Sequence, residues 1–403
     1  MKNLKIIFLL GIITISLSGF LHKGRGIVDE KIILKRLYPG QVNFKKEGFP
    51  PHYKLPDGTI GYNSLDIVPD IRGYGGPISI LIVLSKDGKI KNLKIISHSE
   101  TKNYVHYLFS EKFLNSFIGK TITEPFLPGK DIDAVSRATI SERALCDIIR
   151  MSGRAIARQV LHLEIPQNKS MRYKEDIVKP IIFSIWLIVV LIFYYATKRY
   201  PYLLRFRRWV LLGSVLIVGA YLSVFFSIIH FFQLLKFHIS FQWQWILVVT
   251  TTLASFIFLG RFYCGWLCPF GALSELLFVE KFQWRLSFER DRIFKRLKYY
   301  ILLGLLLLIL IGLEPSNVDF EPYLTLFSFS GNLFTWAIVI LSLAISIRVS
   351  RLWCRFLCPV GALSGIVSKS DKHHYTGSIQ CPVGVLEYSP NECIRCNRCY
   401  CRR

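Results

Sequence analysis

The sequence predicts a multi-pass α-helical membrane protein, with about six spans and tandem-duplicated hairpins. It adds one exported α+β domain and a short cysteine-rich tail. Three observations carry this. Hydrophobic residues make up 52% of the 403 while the formal charge is +24, a balance too apolar for a soluble basic protein. The apolar residues collect into long runs flanked by Lys and Arg. Of the ten cysteines, Cys146 alone precedes Cys264, whereas a disulfide scaffold would spread pairs through the exported part; metal or redox use of the later cysteines follows. Basic residues beside apolar runs are what membrane orientation requires, and no zinc-finger or basic-helix pattern is present, so nucleic acid is not a partner.

The chain divides into four parts. Residues 1–21 form an N-terminal membrane anchor, because Leu4 to Leu21 is apolar enough to cross hydrocarbon that takes roughly 20 helical residues. A cleaved signal peptide is the alternative, and either exports residues 22–179. In that domain Ile78 to Leu84 and Ile90 to Ser97 read as strands joined through Lys86-Asp87-Gly88, since Asp-Gly tolerates the positive φ of a hairpin. Phe113 to Gly119 and Ser141 to Ile149 read as helices, giving an α+β domain.

Residues 180–370 hold five further spans, at Pro180 to Ala196, Trp209 to Leu235, Trp243 to Leu259, Tyr300 to Leu313 and Leu333 to Ile347. Lys198, Arg199, Arg205, Arg207 and Arg208 fill one connection, and Lys281, Arg285, Arg290, Arg292, Lys295, Arg296 and Lys298 dominate another. Glu314, Asp319 and Glu321 mark an alternate one. The positive-inside rule places the basic loops in the cytoplasm and the α+β domain outside. His230 lies inside a span, which makes it a candidate for a quinone or haem. Apart from it the spans carry almost no ionisable residue, which disfavours a channel.

The chain repeats itself once. RFYCGWLCPFGALSEL, from Arg261, returns as RLWCRFLCPVGALSGI, from Arg351. Parity places both copies on the cytoplasmic side, each after a pair of spans, as in a tandem duplication. Within each copy the four-residue separation of Cys264 from Cys268, and of Cys354 from Cys358, puts two thiols on one helical face. The proline behind them favours a helix start or kink. Such pairs bind metal or cycle redox state, or simply pack as small apolar residues.

Residues 371–403 form the tail. Cys393, Cys396 and Cys399 have the spacing of a bacterial ferredoxin loop, and Cys381-Pro382 stands upstream, so Cys381, Cys393, Cys396 and Cys399 are the candidate ligands of one [4Fe–4S] cluster. Cys401 is one position early for the usual fourth ligand, whose place Arg403 holds. Zinc in a cysteine-rich tail is the alternative.

Two resemblances sharpen the reading. Asp133, Ser136, Ala138 and Thr139 resemble the Asp-x-x-Ser-Gly-Ala-Thr motif of FMN-binding domains, as the preceding GYGGPISILIVLSKDGKIKNLKIISHSET resembles their start. The resemblance implies FMN carried as a phosphodiester on Thr139 and attached by a flavin transferase. Arg137 stands where that family has glycine, and a helix cap at Ser136 is the plain alternative. The whole chain resembles the NosR/NirI family of membrane flavo-iron–sulfur proteins, in a short form like the C-type membrane flavoproteins encoded beside reductive dehalogenases. That implies a multi-pass protein of the bacterial cytoplasmic membrane that passes electrons from a quinol or cytoplasmic donor to an exported terminal reductase, such as nitrous oxide reductase or a dehalogenase. It leaves open a redox sensor or a maturation or regulatory factor for that reductase. Phe241, Trp243 and Trp245 collect near the outer interface, where a quinone would approach and where aromatic belts occur for physical reasons alone.

Overall fold

The computed structural model describes residues 30–40, 43–73, 76–98, 100, 107–133, 139–165, 175–236, 243–284, 287–311, 320–329, 331–368, 381, 383 and 392–399. The expected anchor at 1–21 lies outside them.

The first part is an antiparallel meander of five strands in sequential order, β1 (Lys46–Glu47), β2 (His52–Lys54), β3 (Ile60–Asn63), β4 (Ile78–Leu84) and β5 (Ile90–His98). The Asp-Gly hairpin is as expected: Gly88 has φ +73, and Ser85 N–H donates to Lys89 O at 2.8 Å. Every residue of β4 is buried, because its two faces serve two cores. Leu81 and Val83 pack with Leu34 of helix α1 (Glu30–Leu37), while Ile80 and Ile82 pack with Leu145 and Ile149 of the long helix on the other side, as the period of two requires.

Two helices differ in extent from the sequence expectation. The segment expected at Phe113 to Gly119 is α2, Glu111–Asn115; it starts earlier because Ser110 caps it, accepting from Phe113 N–H at 3.3 Å. The helix expected at Ser141 to Ile149 is α3, Thr139–Gln159. It runs on through Gly153, where a Cβ would overlap the Ile122 side chain, so the glycine permits close packing there.

The remainder is helical. α4 (Glu175–Arg199) is followed by α5 (Arg207–Ser214), α6 (Ile228–Leu235), α7 (Trp243–Ala254), α8 (Pro269–Leu276), α9 (Phe288–Leu310), α10 (Pro322–Ser328), α11 (Leu333–Ser346), α12 (Leu352–Phe356) and α13 (Pro359–Val367). α5 and α7 continue as wider π turns over Val215–Tyr221 and Ser255–Leu259. Among the described residues one helix alone, Val178–Arg199, is long and apolar enough by itself to cross a bilayer. The span expected at Trp209 to Leu235 is broken between the π turn and α6, where Ser223 adopts φ +51 and Ser227 caps a new helix. The span at Leu333 begins with a turn of 103° from α10.

The duplication is visible in this order. A longer helical stretch, a short helix, a second longer stretch and a cysteine motif occur as α5 with its π turn, α6, α7 with its π turn and the segment into α8, then as α9, α10, α11 and the segment into α13. The two short helices meet at their starts: Ser227 Oγ–H donates to the Glu321 carboxylate, and Ile228 N–H reaches the same group at 3.3 Å. Like ends facing like ends is the mark of a pseudo-two-fold relation. One core runs through this part, from Phe183 to Leu363, with Phe226, Phe256, Trp266 and Phe270 at its centre.

Candidate functional site: two cysteine repeats and the tail loop

Each motif is a helix, a break and a new helix. Cys264 lies in the π turn Tyr263–Leu267, while Cys268 is extended (φ −63, ψ 114) and caps α8, with Pro269 as first helical residue. Cys354 lies in α12; Cys358 (φ −69, ψ 116) caps α13 ahead of Pro359. Proline suits that position, since its missing N–H would be unpaired there anyway. The expectation of two thiols on one helical face is therefore corrected: each pair straddles the break the proline imposes. Cys358 Sγ accepts from Gly361 N–H at 3.3 Å.

The repeats exchange arginines. Arg261 of the first donates to Cys354 O at 3.4 Å, and Arg351 of the second donates to Cys264 O and, at 3.1 Å, to Gly265 O. Glycine follows each motif where these groups converge. A Cβ on Gly271 would stand 2.9 Å from the Arg351 guanidinium and 3.4 Å from Cys354 Sγ; one on Gly361 would stand 2.9 Å from Arg261. Burial, and then the charge of neighbouring thiols, pushes Cys268, Cys354 and Cys358 above the ordinary thiol range, which places the thiols of both repeats within one another's field. Among the described residues no three His, Cys, Asp or Glu side chains are gathered to hold a single metal ion. The donor set, four soft thiols with small residues beside them, fits an iron–sulfur cluster in kind.

Two buried carboxylates brace this arrangement. Glu275 on α8 accepts from Arg207, from Arg351 at 2.7 Å and from Arg398 at 2.8 Å. Glu392 accepts from Arg261 at 2.5 Å, from Lys298 and from Tyr299 O–H at 2.6 Å. Burial alone would raise both carboxyls; the cations overcome it, holding Glu275 far below the carboxylate range and Glu392 at about 2. Sequence reading missed both acids.

The tail loop lies against the first repeat. Trp266 Nε1–H donates to Arg395 O at 2.9 Å, and Asn397 Nδ2–H reaches Tyr194 O at 3.0 Å and Thr197 Oγ1 at 2.9 Å. Arg395 and Asn397 take φ of +56 and +63, turning the chain sharply between successive cysteines. Cys381 packs in one small cluster with Val383, Ile394 and Cys396, so the upstream cysteine is near the loop. Cys393 and Cys399 are partly exposed beside them. Cys401 lies outside the described residues.

On the flavin side, Thr139 is the first residue of α3, where the unpaired N–H groups of a helix N-terminus favour a phosphate ester. Asp133 is exposed, and Ser136 and Ala138 lie outside the described residues. Just inside the helix, Ser141 Oγ–H donates to the buried Glu100 carboxylate at 2.8 Å. Cys146 is buried in the domain core. His230, nominated for quinone or haem, has a structural duty: its Nδ1 accepts from Ser227 N–H at 3.1 Å in a capping box. Its ring stands edge-on to buried Trp245, while Trp243 is exposed and Phe241 lies outside the described residues.

Known proteins bear on these sites. Residues 73–152 match the family described as an FMN-binding domain, and residues 241–289 and 332–374 match that described as a 4Fe-4S binding domain. The first covers Asp133 to Thr139; the second covers both cysteine repeats and stops short of the tail loop. The chain is 28% identical over 51% of its length to the protein NirI of Paracoccus denitrificans, of which it spans 35%. It is 35% identical over 30% of its length to the regulatory protein NosR of Pseudomonas aeruginosa, of which it spans 18%. Against one component of the proton-translocating ferredoxin:NAD(+) oxidoreductase complex of Clostridium ljungdahlii it is 31% identical over 26% of its length, spanning 57% of that component. No solved structure matches it.

Proposed function

We propose that this chain, which stands with NirI and NosR in the NosR/NirI family of FMN- and iron–sulfur-binding proteins, carries electrons across the bacterial cytoplasmic membrane. The route runs between FMN esterified to Thr139 on the outside and cysteine-bound iron–sulfur on the inside. An exported terminal reductase, a nitrous oxide reductase or a reductive dehalogenase, exchanges electrons with the flavin, and a quinol or cytoplasmic donor supplies the other end.

The observation that carries this is a buried surplus of cations around the four repeat thiols. Four buried cations, Arg207, Arg261, Lys298 and Arg351, face two carboxylates, Glu275 and Glu392. Unbalanced buried charge is costly; an iron–sulfur cluster, which takes cysteine as thiolate, would supply the balancing anions at Cys264, Cys268, Cys354 and Cys358, whereas burial holds Cys268, Cys354 and Cys358 toward the neutral thiol when nothing is bound. Two half-sites locked by reciprocal arginines then make one redox centre. FMN and an iron–sulfur cluster, when bound, join two-electron to one-electron chemistry. The chain's own residues place Cys264, Cys268 and Cys358 in the apolar core that also holds Trp266 and Phe270, fix the backbone at Cys264 and Cys354 through Arg351 and Arg261, and would balance the charge of bound thiolates.

The exposed apolar surface supports the same reading. Val178–Arg199, 22 residues, is about 33 Å of helix at 1.5 Å per residue, and Ile181, Ile185, Ile188 and Ile192 on it are exposed. Ile257 and Phe258 after α7, Leu307 on α9, and Leu333 and Ile340 on α11 are exposed too, which is the surface lipid requires rather than water.

The test is iron, acid-labile sulfide and flavin analysis of the detergent-purified protein, with electron paramagnetic resonance after reduction. Cys264→Ser and Cys354→Ser are expected to abolish one and the same signal, because the two repeats share a centre. A wild type without iron, or two variants losing separate signals, overturns the reading. Sidedness has its own check: reporter fusions at Thr139 and at Cys399 should report opposite compartments, and the same compartment for both rules out transfer across lipid.

NosR of Pseudomonas aeruginosa is a regulatory protein, which favours a second reading, a membrane redox sensor. Rapid stoichiometric reoxidation of the reduced protein by a reductase speaks for the carrier; slow, substoichiometric transfer speaks for the sensor.

A further inference from the structure

The two repeats are not equal, and the places where they differ are where the tail lies. Aligned on their cysteines, they set Arg261 over Arg351, Gly265 over Arg355 and Glu275 over Gly365. In the first repeat Glu275 ties the first long helix of its own repeat, through Arg207 on α5, to the motif arginine of the other, Arg351. The second repeat has the matching cations, Lys298 on α9 and Arg261 across the axis, but glycine where the carboxylate should be. Glu392 of the tail fills that gap: its Oε1 lies 3.6 Å from where a Cβ of Gly365 would stand, and it pairs with both cations.

The other difference decides which side the tail takes. A Cβ on Gly265 would overlap Ile394 O, so the tail backbone passes directly over this residue. Its counterpart Arg355 carries a full side chain paired with Asp291 at 2.8 Å, and closes the equivalent place on the second repeat. Gly260 (φ +66) likewise leaves room for the Arg395 side chain, 2.9 Å from where its Cβ would stand.

We propose that Glu392 and Gly265 form a docking site that makes the tail an integral part of the second repeat and seats the loop of Cys393, Cys396 and Cys399 on the first. Glu392, adjoining Cys393, is the positioning residue. It stands in for the carboxylate absent at Gly365, so that completing the charge balance of the duplication and placing the tail's thiols are one event. The docking claim rests on the observed contacts; its consequence for the cluster rests on the proposed role of the tail thiols as iron ligands.

Three full-length variants test this, with trypsin cleavage at Arg395 and Arg398 reporting docking, and iron content and the paramagnetic signal removed by Cys396→Ser reporting the tail cluster. Gly265→Ala displaces the tail without altering a charge or a cysteine. Glu392→Gln removes the clamp. Gly365→Glu with Tyr299→Phe, in the Glu392→Gln background, returns a carboxylate to the second repeat from its own helix; the phenylalanine is needed because a Cβ at 365 would stand 2.5 Å from Tyr299 Oη. Cleavage is expected to accelerate about tenfold or more in Gly265→Ala and Glu392→Gln, since proteolysis follows the population of the released form, and the tail signal should vanish in both. The third variant is expected to recover wild-type thermal stability while its tail stays cleavable. Protection persisting in Gly265→Ala or Glu392→Gln, or returning in the third variant, overturns the docking site. If instead docking behaves as stated but Cys396→Ser changes neither iron nor signal, the ligand role of the tail fails and the docking site stands.

Discussion

Thr139→Ala is expected to yield a folded protein that keeps no flavin through denaturation, an all-or-none change. The threonine opens α3, and capping losses at such positions cost about 1 kcal/mol. The core that holds the domain is built elsewhere: Ile80 and Ile82 of β4 against Leu145, Ile149 and Ile156 of α3, with Phe117 and Phe126 closing one end. Arg154 further ties the helix to the loop before it, through Ile122 O at 3.1 Å and Thr123 O at 3.0 Å. None of these contacts depends on residue 139. Thermal unfolding of the variant should therefore stay within about 1 kcal/mol of wild type, while flavin fluorescence in a denaturing gel, strong in wild type, is absent. Thr139→Ser retains a hydroxyl for the ester and should retain the fluorescence. Release of all flavin from denatured wild type would dispose of the covalent assignment, and persistent fluorescence in Thr139→Ala would move it to another residue.

What was legible in the sequence was what is local. Asp87-Gly88 announced its hairpin because the positive φ there is a property of two residues. The repeated Cys-x3-Cys-Pro declared a duplication, and the helix starts at Pro269 and Pro359 follow from proline itself. The apolar runs were legible, but the helices they form were not. Nothing in Trp209 to Leu235 tells that the chain breaks near Ser223, since the break is stabilised from a distance by Glu321 meeting Ser227. The carboxylates were illegible for the same reason. Glu275 follows Gly-Ala-Leu-Ser and reads as a solvated helix residue, and Glu392 reads as a spacer before Cys393; each acquires its part only when the fold brings cations from two other segments to it. One signal was available. Glu275 over Gly365 and Gly265 over Arg355 are the departures from repeat symmetry at which the tail docks.

Replacing Glu275 is expected to have the largest effect on stability. Its carboxylate, 4% exposed, is the common acceptor of Arg207 and Arg351, themselves 4% and 0% exposed. Glu275→Gln preserves the shape of the side chain and removes the charge, leaving two buried guanidiniums without their counter-ion. Breaking a buried pair on one side costs about 3–5 kcal/mol, because the remaining charge stays desolvated. Arg351 also donates to Cys264 O and Gly265 O, so loosening it disturbs the first cysteine of the opposite repeat. Reversible unfolding in mild detergent is therefore expected to show a loss of about 3–5 kcal/mol, together with loss of the signal shared by Cys264 and Cys354. Arg398→Ala makes the contrast. That side chain is 40% exposed, and a partly solvated pair contributes at most about 1 kcal/mol. One variant removes the carboxylate and the other a single exposed partner of it, and only the one that strands buried cations should weaken the fold. Equal, small effects from both would mean that water reaches Glu275, and that the interlock between the repeats is held by packing around Trp266 and Phe270 instead of by charge.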